Sequence, residues 1–178
     1  MRRTIGLGVA GLALVALTVL ARRLARLEPV LVQGDSMRPT LRPGQRLAVG
    51  PLDRPPRRGD LVVVVVVGRE GFEVVKRVVG LPGERLRLAG GRLEVDGVEV
   101  AEPYLAGSAG GDLELRLGDG QYLVLGDHRA ASTDGRDFGP VPAEALAGRV
   151  RFAYWPPRRL PRPARMRADV PVRRTRGR

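Results

Sequence analysis

The stretch Leu61 to Val67 reads LVVVVVV, seven apolar residues in a row, six of them β-branched. It is too short to span a bilayer, and β-branched side chains suit a pleated, enclosed surface, so it predicts a strand buried on both faces. Working outward, a turn at Gly68–Gly71 leads into a second strand over Phe72–Val79. Three more follow at Arg85–Leu88, Arg92–Val95 and Val98–Val100, separated by Gly90-Gly91 and Asp96-Gly97, both strong hairpin signals. Upstream, Leu47–Val49 reads as a short strand; downstream, Gln121–Leu125 and Arg149–Tyr154 read as closing strands. One short helix is expected near Ala143–Ala147. The fold class is therefore mainly β, a domain of small antiparallel sheets and hairpins.

Charge divides the 178 residues into three regions. Residues 1–26 carry +5, residues 27–155 carry −1, and residues 156–178 carry +8, within a net charge of +12. Because the body is near neutral, the basicity does not describe a nucleic-acid-binding fold, whose charge would lie on the domain itself. Thr4 to Ala21 is uncharged and flanked by Arg on both sides. As a helix it would measure about 27 Å, close to the hydrocarbon thickness, so a retained transmembrane anchor over residues 1–26 is preferred to a cleaved leader. Arg on both flanks leaves its orientation open. The Pro/Arg-rich end, 156–178, has too little apolar content to fold and is expected to be disordered. With no cysteine and one histidine, His128, neither a disulfide framework nor a zinc site is available, and no metal or cofactor is expected.

Of the 31 basic side chains, Lys76 is the one lysine. Arg stays protonated, whereas a buried Lys can become neutral and act as a base. By itself the bias leaves two readings open, a chance survivor or a position that needs a base. The neighbours Val74, Val75, Val78 and Val79 favour the base, since a strand would place Lys76 on one face with Val74 and Val78.

Three segments carry a resemblance. They are Gly34-Asp35-Ser36-Met37-Arg38-Pro39-Thr40-Leu41; Gly59-Asp60-Leu61-Val62-Val63 with Lys76-Arg77-Val78-Val79-Gly80-Leu81-Pro82-Gly83-Glu84; and Gly126-Asp127-His128-Arg129-Ala130-Ala131-Ser132-Thr133-Asp134-Gly135-Arg136, continuing to Val141. In this order after an apolar start, they resemble the boxes of the bacterial type I signal peptidases, Ser-Lys proteases of peptidase family S26, in the Gram-positive-like, single-anchor form. The resemblance implies Ser36 as nucleophile, Lys76 as general base and Ser132 as the hydroxyl that orients the lysine amine. It implies Asp134 and Arg136 as a bracing pair. Asp127 reads as turn chemistry after Gly126, with a supporting role left open. The sequence departs from the family at Gly34, where some members add a serine donor to the oxyanion hole, at His128 in place of Asn, and at Gly135 in place of Ser.

The resemblance further implies a membrane-bound endopeptidase that removes signal peptides from secretory preproteins after Ala-x-Ala. It would be anchored once in the bacterial membrane, with the domain of residues 27–155 on the extracytoplasmic side. The partners are then preproteins and the lipid bilayer, without nucleic acid, and the chain is expected to be a monomer. A short hairpin insertion is expected over residues 84–121. Two alternatives stand beside this reading: a peptidase specialised for a conjugation or pilus precursor, and a non-catalytic, membrane-anchored peptide-binding β-domain.

Overall fold

The computed structural model describes residues 26–66, 73–105, 111–158 and 160. The apolar stretch 4–21, the turn at 68–71 and most of the 156–178 segment lie outside the described residues. Among those described, no helix is long and apolar enough to cross a membrane.

The described chain is mainly β, as expected. A large antiparallel sheet runs in the order β1 (Glu28–Leu31), β2 (Arg46–Gly50), β11 (Leu146–Trp155), β3 (Leu61–Val65), β4 (Glu73–Gly80), β9 (Gln121–Leu125) and β10 (Val141–Pro142), with β12 (Pro157–Arg158) on the free side of β11. A smaller sheet of four strands runs β7 (Val98–Val100), β6 (Arg92–Val95), β5 (Arg85–Ala89) and β8 (Leu113–Arg116).

The valine run does what its composition predicts. Leu61 to Val64 are all buried. Leu61 and Val63 enter one core cluster with Met37, Leu41 and Leu47, while Val62 and Val64 enter a second with Val78, Val124 and Leu146. Each such valine is worth about 1.5–3 kcal/mol of burial, available on both faces because the sheet is covered on both. The strand ends at Val65, which is exposed, rather than at Val67.

The small sheet packs on the large one through a third cluster, in which Leu86, Leu88 and Leu93 meet Val79, Leu123 and Leu125. Gly80 permits this approach: a β-carbon there would lie 2.8 Å from Leu117 and 2.9 Å from Leu123. Both predicted hairpins form, with Gly90, Gly91, Asp96 and Gly97 all at positive φ, as tight primed turns require. The insertion is more than a hairpin, because β8 adds a fourth strand beside β5.

Two expectations need correction. The expected helix at Ala143–Ala147 is a single 3-10 turn, Ala143–Ala145, whose last residues already belong to β11. The one described α-helix, α1 (Gly135–Phe138), lies instead within the third box, where Asp134 and Asp137 form a reciprocal capping box. A second 3-10 turn spans Arg129–Ala131. Finally, the expected disorder does not begin at 156, since Pro157 and Arg158 pair with Tyr154 and Ala153.

Candidate active site

Ser36 sits in a tight turn between β1 and β2. The Asp35 carbonyl accepts from the Arg38 N–H at 3.0 Å and the Met37 carbonyl from the Leu41 N–H at 2.8 Å. Met37 and Leu41 are buried in the first core cluster, so the turn is pinned from below while Ser36 stays partly exposed. Gly34 has φ of +76°, a left-handed conformation that glycine adopts without strain and a serine would not.

Lys76 lies mid-strand in β4 and is only 2% exposed. Its register partner is Val62, and Val78 on the same strand face is fully buried, so the aliphatic stem runs along an apolar wall. Its amine donates to Ser132 Oγ at 3.0 Å. Burial pushes the Lys76 amine below its ordinary value of 10.5; Asp134 pulls it back upward and Arg136 adds to the depression. Among the described residues no hydrogen bond joins Lys76 to Ser36 directly.

Gly126 brings the two serines together. A β-carbon on it would lie 2.5 Å from Ser132 Cβ, closer still to Ser132 Oγ, and 2.6 Å from the Ser36 carbonyl oxygen. The next residue but one adds a bond, His128 N–H to the Ser36 carbonyl at 2.9 Å. The Ser36 turn and the third box therefore touch through backbone at a position that admits no side chain.

Asp134 and Arg136 brace this loop, as expected of a pair. Asp134 is fully buried; one carboxylate oxygen accepts from Arg136 Nε at 2.9 Å, and the other from the Gly126 N–H at 2.9 Å. Burial alone would raise the Asp134 carboxyl, but Arg136, the Gly126 N–H and the Ser132 hydroxyl hold it below its ordinary 3.8. Arg136 reaches on to the carbonyls of Arg129 and Ser132, at 2.6 and 3.2 Å.

Asp127 is not a turn residue in the expected sense. It is fully buried and takes a two-pronged hydrogen bond from Arg77, Nε at 2.7 Å and Nη2 at 2.6 Å. Thr40, from the Ser36 turn, donates to the same carboxylate, and Arg77 also donates to the Gly59 carbonyl at 2.9 Å. This ion pair ties together all three sequence boxes. Sequence reasoning overlooked Arg77, and the signal was available: an Arg beside an apolar-walled Lys, on a strand, must put its charge on the opposite face and needs a buried acid there.

A groove of about 360 Å³ leads away from Ser36, lined by Val30, Val32 and Met37 on one side and by Val63, Val74 and Val75 on the other. Strand β9 pairs with β4 only from Arg77 onward, which leaves the Glu73–Val75 edge of β4 facing this groove. Such an edge can accept an extended peptide as an added strand. Among the described residues no cluster of His, Cys, Asp and Glu could hold a metal ion.

Comparison with known proteins bears on this arrangement. The family described as signal peptidase, peptidase S26, matches residues 5–155. The chain is 40% identical over 144 residues to Signal peptidase I of Bacillus caldolyticus, covering 71% of this chain and 78% of that one. It is 33% identical over 154 residues to Signal peptidase IB of Staphylococcus aureus strain Mu50, covering 72% and 78% respectively. A crystal structure of a signal peptidase I from Enterococcus faecalis V583 aligns at a TM-score of 0.49 with 32% identity, covering 54% of this chain and 97% of that one.

Proposed function

The chain belongs to the signal peptidase family, peptidase S26, and from that premise we propose that it is a membrane-bound serine endopeptidase that removes signal peptides by a Ser36–Lys76 dyad. The family is one of hydrolases that cleave signal peptides from secretory preproteins. The observation that carries the dyad is Lys76 itself. It is a buried amine on an apolar wall, depressed in basicity, held by a hydroxyl at 3.0 Å rather than by a carboxylate.

In this reading the substrate lies in the groove as a strand along the Glu73–Val75 edge, with small side chains facing Val63, Val75 and Met37. Ala-x-Ala fits because residues one and three from the cut share a face of an extended peptide. Neutral Lys76, aimed by Ser132, takes the Ser36 hydroxyl proton as the serine oxygen attacks the carbonyl carbon after the final Ala. The Ser36 N–H is a donor for the resulting oxyanion. Protonated Lys76 then donates to the departing amine as the C–N bond breaks. Water, deprotonated by the same amine, releases the acyl group and regenerates Ser36.

Residues 4–21 supply the single membrane anchor, and the domain faces the extracytoplasmic side as a monomer. Leu31, Arg46 and Trp155 stand side by side in register across β1, β2 and β11, with Leu31 52% and Trp155 64% exposed. An aromatic, an aliphatic and an arginine on one exposed face suit the head-group region of a bilayer.

The test is to incubate the detergent-solubilised full chain with an Ala-x-Ala preprotein, beside Ser36→Ala and Lys76→Arg. Cleavage after Ala by the wild type alone is expected. Absence of cleavage by the wild type, or cleavage by Lys76→Arg at the wild-type rate, overturns the reading. A panel of secreted preproteins separates a general enzyme from one devoted to a single conjugation or pilus precursor.

A further inference from the structure

The segment that follows β7, Ala101–Leu105, contacts a neighbour of each half of the Lys76–Ser132 hydrogen bond. Tyr104 is buried, and its ring lies under the Arg77 guanidinium at 3.9 Å from centroid to carbon. Arg77 is the strand neighbour of Lys76. Glu102 reaches the other half: its Oε1 accepts from Arg129 Nη2 at 2.5 Å, and the two side chains are 3% and 1% exposed. Arg129 in turn donates from Nε to the Gly126 carbonyl at 3.1 Å. Gly126 is the residue packed between the Ser36 carbonyl and Ser132 Oγ. Tyr104 and Glu102 are themselves joined, the phenol donating to Glu102 Oε1 at 2.7 Å. Burial and the Glu102 carboxylate raise the Tyr104 hydroxyl well above its ordinary 10.0, so it remains a donor throughout the working pH range.

Resting on the dyad reading above, we propose that Glu102 is a positioning residue of the reaction. It acts through Arg129 on Gly126 and, with Tyr104 beneath Arg77, sets the spacing between Lys76 Nζ, Ser132 Oγ and the Ser36 turn. The physical demand is plain. Arg129 carries a buried charge that needs a buried carboxylate, and Glu102 is the carboxylate within hydrogen-bond reach. Without it the guanidinium must turn toward water, which draws its Nε off the Gly126 carbonyl and loosens the loop at the point where both serines meet. The small sheet thus has a task in the chemistry, since the segment between its strands β7 and β8 supplies both contacts. Neither Glu102 nor Tyr104 lines the groove, so peptide binding is not involved.

The test compares Glu102→Gln, Arg129→Gln and the double variant in the full chain, using an Ala-x-Ala peptide, with Tm measured for each. Each single variant is expected to lose roughly 10- to 100-fold in kcat, the scale of a 1 Å misplacement, with KM within about twofold of wild type. Because the two act as one unit, the double variant loses no more than the worse single. In parallel, amide hydrogen exchange at Gly126 and His128 should quicken in both singles. Full kcat in Glu102→Gln overturns the proposal, as do losses that multiply in the double variant or that fall on KM. Should the wild type fail to cleave, the dyad reading falls instead. Exchange at Gly126 and His128 then decides the brace alone, and unchanged protection in Glu102→Gln refutes it.

Discussion

Replacing Gly126 with Ala inserts one methyl group between the Ser36 turn and the hydroxyl that holds Lys76. Gly126 is not among the glycines at positive φ, so alanine meets no backbone penalty there and the effect is one of contact. The new carbon would lie 2.5 Å from Ser132 Cβ and 2.6 Å from the Ser36 carbonyl oxygen. Non-bonded atoms settle at about 3.5–4.0 Å, so both contacts must open by about 1 Å, through retreat of Ser132 and a shift of the Gly126 loop off the Ser36 carbonyl. The Ser36 turn is pinned by Met37 and Leu41 in the core, which makes Ser132 the group that yields and breaks its 3.0 Å bond to Lys76. A displacement of this size costs roughly 100-fold in rate, or about 2.7 kcal/mol of barrier. Overpacking costs about 1–3 kcal/mol of stability, and Tm falls by roughly 2–4 °C for each of these. The assay is kcat/KM on an Ala-x-Ala peptide, well below the measured Tm. Gly118→Ala is the control, because its added carbon meets only the end of the Gln121 side chain, at 3.1 Å, and should leave activity within twofold. A Gly126→Ala enzyme within threefold of wild type would refute the geometry that joins Ser36 to Ser132.

Two further outcomes follow from buried charge. With Lys76 as the proposed base, kcat/KM should climb about tenfold per pH unit below its lowered pKa and level off above it, with no such limb in Lys76→Arg. The stability sign is the same. The unfolded amine holds its proton up to about 10.5, so folding is penalised most at low pH, and stability rises from the lowered value toward 10.5; Lys76→Met should flatten that slope in denaturant midpoints taken across pH. Asp127→Asn leaves Arg77 buried without its acid and should cost about 3–5 kcal/mol by chemical denaturation. The pair Arg77→Met with Asp127→Leu should recover part of this loss, and a double variant weaker than Asp127→Asn would count against the ion pair.

Much of the fold was legible because it rests on local signals. The valine run needs apolar contact on both faces and has it, and the Gly90-Gly91 and Asp96-Gly97 turns need positive φ and have it. What escaped notice was written in partners distant along the chain. Strand β8 (LELR) alternates so that Leu113 and Leu115 point inward, yet four residues with two charges are a weak signal until β5 offers an edge. Helix α1 is a single turn made by its cap, not by an apolar stripe, so periodicity could not find it. The burial of Lys76 was visible from its flanking valines. Asp127 was misread because its partner, Arg77, lies fifty residues away in sequence, and Glu102 is 27 residues from Arg129.

Lys76 and Arg77 put the logic of the site in two adjacent residues. They share a strand and a depth of burial, 2% and 1% exposed, and both arrive as cations. Alternation sends them to opposite faces, and what each meets there differs. Arg77 meets the Asp127 carboxylate through two hydrogen bonds, with a carbonyl and an aromatic ring completing its shell, so it holds the boxes together. Lys76 meets valines and one hydroxyl, with Asp134 acting only from beyond that hydroxyl, so burial outweighs the nearest acid and holds the amine below its ordinary value. The Lys76 surroundings would not turn an Arg into a base, because a guanidinium keeps its proton, but the charge of the lysine itself answers to what lies beside it. A carboxylate within hydrogen-bond reach of Lys76, as in Val62→Asp on the neighbouring strand position, should raise the amine's pKa and move the rising limb of the pH–rate profile upward.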